Sequence, residues 1–77
     1  MDMKNEINQL ISEIYKGNHA SINETIASVF NNAYISKPID EAKFINSLIV
    51  AENAMKTKNY VLICDILEFE LKTNLNI

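Results

Sequence analysis

Glycine, proline, cysteine and histidine each occur once in this chain of 77 residues, and arginine and tryptophan do not occur at all. One glycine and one proline leave little material for the many turns of an all-β fold. A single glycine also excludes a glycine-rich phosphate loop. With one cysteine and one histidine, neither disulfides nor a structural metal site can staple so small a chain. Its stability must come from helix packing, assisted by oligomerisation where that occurs. The missing arginine and a net charge of −3 argue against nucleic acid and anionic membranes, which are bound through clustered cations. No apolar run approaches the roughly 20 residues that span a bilayer, and residues 1–6 are too polar for a secretory leader. The lone Cys64 fits a reducing compartment. The expectation is a soluble cytoplasmic protein.

Apolar side chains, in contrast, are plentiful at 48%, enough for one core in a domain covering residues 1–77. A chain of this size buries only about 60% of its unfolded surface. Isoleucine, asparagine and lysine in excess, with no arginine, fit the codon bias of a low-GC bacterial genome.

Met3, Ile7, Leu10, Ile11 and Ile14 recur on one helical face, and Gly17 stands where a left-handed terminal residue is wanted. A first helix over about 2–16 follows. Ser21 and Glu24 have the spacing of a capping box, and Ile22, Ile26, Val29, Phe30 and Ala33 form the stripe of a second helix, about 21–34. The two stripes share one spacing, displaced by 19 residues, which two amphipathic helices built on one template explain more simply than an internal duplication does. Pro38 disfavours helical dihedrals at Lys37. Asp40, or alternatively Ser36, caps a third helix of about 39–56, with Ile39 meeting Phe44 as a hydrophobic staple. That helix buries Phe44, Ile45, Leu48, Ile49, Ala51 and Met55 and strands Val50 on its polar side. Asn59 caps a fourth helix, about 59–72. Short connections make neighbours antiparallel, so the expected fold is all-α: a four-helix bundle running up-down-up-down.

The fourth helix carries a surplus. Tyr60, Ile63, Cys64, Leu67 and Leu71 form one stripe, and Leu62, Ile66 and Phe69 form a second, well over a quarter-turn away. Either the helix lies between others of its own chain, or Leu62, Ile66 and Phe69 anchor an interface with a partner protein, a second copy making a homodimer. The segment Asn59-Tyr60-Val61-Leu62-Ile63-Cys64-Asp65-Ile66-Leu67-Glu68-Phe69-Glu70-Leu71 resembles a tail helix of uncharacterised low-GC bacterial proteins, some of them motility-accessory proteins. In those, an Asp-Tyr pair leads into a run like Ala-Asp-Ile-Leu-Glu-Tyr-Glu-Leu, followed by proline. Here Asn59, Cys64, Phe69 and Thr73 depart from that pattern. The resemblance implies a bacterial helical module and no activity.

Chemistry is scarce. His19 has no nucleophile or carboxylate constellation around it and reads as a solvated side chain. Cys64 lies in an apolar stripe that silences its thiolate. Asp65 and Glu68 form an acidic edge, with Glu68 and Lys72 spaced for an i, i+4 ion pair. That edge offers an alternative function, docking on a basic partner. The residues suggest no enzyme, no cofactor and no metal site. The function expected is a protein-interaction module, self-associating through its C-terminal helix.

Overall fold

A computed structural model describes residues 2–18 and 20–77, and among these it contains four helices and no strand. We label them α1 (Met3–Tyr15), α2 (Ile22–Ile35), α3 (Glu41–Lys56) and α4 (residues 60–75). The fourth begins as an α-helix over Tyr60–Asp65, widens into a π-helix over Ile66–Leu71, and closes as α-helix over Lys72–Leu75.

The helix starts follow side-chain chemistry. The carboxylates of Asp2 and Asp40 accept from the amides of Asn5 (3.2 Å) and Lys43 (3.0 Å), and the Asn59 amide oxygen accepts from Leu62 (3.3 Å). Each satisfies one of the orphan N–H groups of a first turn. Ser36 takes no part in starting α3; its hydroxyl donates to the Asn32 carbonyl at the end of α2. The capping box expected of Ser21 does not form. Ser21 adopts left-handed dihedrals (φ 59°), and its side chain makes no capping bond, because capping needs the extended backbone that aims the hydroxyl into the first turn. Ile39 also makes no staple: it is 73% exposed while Phe44 is buried.

All four helices end on a left-handed residue: Gly17, Lys37, Lys58 and Asn76. After α1, α3 and α4 the two bonds of a Schellman motif are complete; in α3 they run from Lys58 to Met55 (3.2 Å) and from Asn59 to Ala54 (2.8 Å). After α2 only Lys37 to Tyr34 forms (3.1 Å), since Pro38 has no N–H to complete the second. Asn59 therefore closes α3 with its backbone and opens α4 with its side chain, which explains so short a link.

The core stripes of α1 and α2 are those the periodicity indicates. Met3, Ile7, Leu10 and Ile14 are buried, as are Ile22, Ile26, Val29, Phe30 and Ala33. In contact, α2 joins α1 to α3, and α4 lies against both α3 and α1. The accessible surface of 4855 Å² matches the roughly 4,800 Å² expected of a folded monomer of this mass.

The third helix is rotated about 80° from the orientation its hydrophobic pattern suggests. Its buried residues are Phe44, Ser47, Ala51 and Ala54, whereas Ile45 and Ile49 are 47% and 53% exposed. The cause is a division of labour. Phe44 faces α2, its ring 6.0 Å from Phe30 and 5.7 Å from Tyr34. The small residues Ser47, Ala51 and Ala54, at spacings of four and three, complete the buried side of α3, and the Ser47 hydroxyl donates to Glu70 of α4 (2.9 Å). Small side chains let a neighbouring helix approach closely, so the larger isoleucines are displaced outward. Val50 is half-buried against the core.

The widened turn of α4 has a legible cause. Ile63, Leu67, Leu71 and Leu75 stand four residues apart, and an ideal α-helix drifts about 40° at each such step. Over three steps the ridge would wind about 120° off its neighbours. A π turn, with more residues per turn, removes the drift. Leu71 is thereby 1% exposed and Glu70 stays outside the core. Leu71→Ala is expected to lose about 2–5 kcal/mol, and Glu70→Ala about 1 kcal/mol, the cost of leaving the Ser47 hydroxyl without its acceptor. Urea denaturation of the two variants measures both losses; equal losses would contradict the widened turn. Lys58→Gly should instead stabilise by about 0.5–1 kcal/mol, because glycine adopts the left-handed conformation without steric cost. The same denaturation curve reads that gain.

Candidate interaction surface

The three residues expected to anchor an interface go to different places. Ile66 is wholly buried, in the core its own chain forms, and Leu62 is half-buried against that core. Phe69 alone of the three is open, at 69%. The second stripe of α4 is therefore largely consumed within the chain, by a helix that has α3 on one side and α1 on another.

Large apolar side chains are exposed on every helix, and on α3 they are Ile45 and Ile49. Ala42, Ile45 and Ile49 follow one another at helical spacing on its outer face. Ala42 also lines a groove of about 770 Å³ between the start of α3 and the end of α4. Ile39 and Phe69 stand on that groove as well, with Lys43, Asn46 and Glu70 supplying polar groups. Single exposed apolar residues are ordinary; what marks this surface is their succession along one helix and across one groove.

The groove is closed at one end by a clip of hydrogen bonds. The Asn74 carbonyl accepts from the Ile39 amide (2.8 Å), and its side-chain oxygen accepts from the Asp40 amide (2.7 Å). Its side-chain amide donates to the Asp40 carbonyl (2.8 Å). The clip ties the last turn of α4 to the α2–α3 connection, so the groove walls are held rather than splayed. The pattern offers no sign of this, because Asn74 lies beyond the helix boundary that periodicity suggests.

The acidic edge is weaker than its sequence suggests. Asp65 and Glu68 are both exposed, but Lys72 lies 2.8 Å from Glu68 and also donates to Asn8 of α1. An exposed pair of this kind contributes a few tenths of a kcal/mol, and it offsets the charge of Glu68 alone. Tyr34 donates its phenol proton to Glu41 (3.0 Å), and that bond, with the nearby carboxylate charge, holds its pKa above the ordinary value.

Cys64 is 3% exposed. Burial, and secondarily the charge of Asp65, push its thiol pKa up, so the reactive thiolate is disfavoured. His19 lies outside the described residues. Among the described residues no three His, Cys, Asp or Glu side chains are placed to hold a metal ion, and no helix is long and apolar enough to cross a membrane. A second pocket, between α1 and α2, contains Glu6; its Oε1 accepts from Asn32 (3.0 Å), while its buried Oε2 has no hydrogen-bond partner. No family model matches the chain, and no curated protein or solved structure is found to be similar to it.

Two consequences follow for Cys64. Alkylation by a maleimide at pH 8 should be far slower in the native protein than in urea; equal rates would show an open thiol. Since the folded state holds the proton more tightly than the unfolded one, the stability Cys64 contributes is complete below the ordinary thiol pKa and declines as pH rises beyond it. Cys64→Ala should flatten that alkaline decline in thermal melts.

Proposed function

We propose that this chain is a small α-helical protein-interaction module that self-associates, with the outer face of α3 and the adjoining groove as its contact surface. The observation that carries the reading is the exposure of Ile45 and Ile49 on the helix whose small-residue face is already buried. Phe69, on the C-terminal helix, contributes from across the groove beside Ile39. A bacterial cytoplasmic setting fits the composition and the single unpaired thiol.

An up-down-up-down bundle is the arrangement we favour for the four helices. Asn32, late in α2, bonds Glu6, early in α1. Lys72, late in α4, bonds Asn8 of α1, and Asn74 bonds the residue that precedes α3. These pairings support antiparallel neighbours. They also give the module a rigid frame on which an exposed face is displayed without distortion.

Ile39, Ile45, Ile49 and Phe69 are already partly covered, so each contributes on the order of 1 kcal/mol on complete burial. Eight such side chains in a symmetric pair give about 8 kcal/mol, about 4 kcal/mol beyond the lower end of the cost of association, a net that corresponds to a Kd near 1 mM. The self-association expected is weak and reversible. Sedimentation equilibrium between about 10 μM and 1 mM reaches such an affinity at its upper end. The mass should rise with concentration for the wild type. In the doubly substituted Ile45→Glu, Ile49→Glu chain it should stay at the monomer value, with helicity unchanged by circular dichroism. A wild type that remains monomeric throughout overturns the proposal.

A further inference from the structure

We draw no further inference here: the strongest candidate outside the proposed surface, the pocket between α1 and α2 that contains Glu6 with its unpartnered carboxylate oxygen beside Glu13, is an acidic cluster on a half-buried side chain, and no second observation points to a ligand.

Discussion

The packing of α4 against two neighbours governs the rest of this molecule. A chain with a single cysteine cannot close an internal disulfide and holds itself by apolar contact, and most of its wholly buried large side chains, Ile63, Ile66, Leu67 and Leu71, belong to this helix. Leucines and isoleucine at strict four-residue spacing need a backbone that does not drift, and the π turn supplies it. Close approach of α3 needs small side chains on its buried face, which Ser47, Ala51 and Ala54 provide. The rotation of α3 and the outward displacement of Ile45 and Ile49 are then consequences of one constraint.

That chain of causes joins the core to the surface. Had α3 presented Ile45 and Ile49 inward, the groove that Ile39 and Phe69 line would have no apolar continuation along α3. A helix that gives its small-residue face to a neighbour must show its larger residues elsewhere. The clip between Asn74 and Asp40 then holds the two walls of the groove in register, so the exposed face is part of a fixed frame.

Much of the fold was legible beforehand, and what was not has identifiable reasons. The stripes of α1 and α2, the caps at Asp40 and Asn59, the left-handed Gly17 and the Glu68–Lys72 pair follow from spacing and local chemistry. Hydrophobic periodicity misplaces α3 because it weighs large residues, whereas three of the four buried positions of that helix are serine and alanine. At 100° per residue throughout α4, Leu62, Ile66 and Phe69 share one stripe. The spacing of Ile63, Leu67, Leu71 and Leu75 was the visible sign that this angle fails. The capping box at Ser21 was a motif without its backbone conformation. For the candidate surface, the sequence marked Phe69 and overlooked Ile45 and Ile49. Nothing local in it reveals that Asn74 bonds a residue 34 positions away.

Within each single chain, α4 is the internal strut. Amide hydrogen exchange on dilute protein, at concentrations where only monomer is present, tests this most directly. The amides of residues 66–71 should exchange as slowly as those of Ile7 and Ile26, at the rate set by global unfolding. Rapid exchange of residues 66–71 in the monomer, with protection gained only as concentration rises, would show that this helix is completed by a partner and would contradict the account.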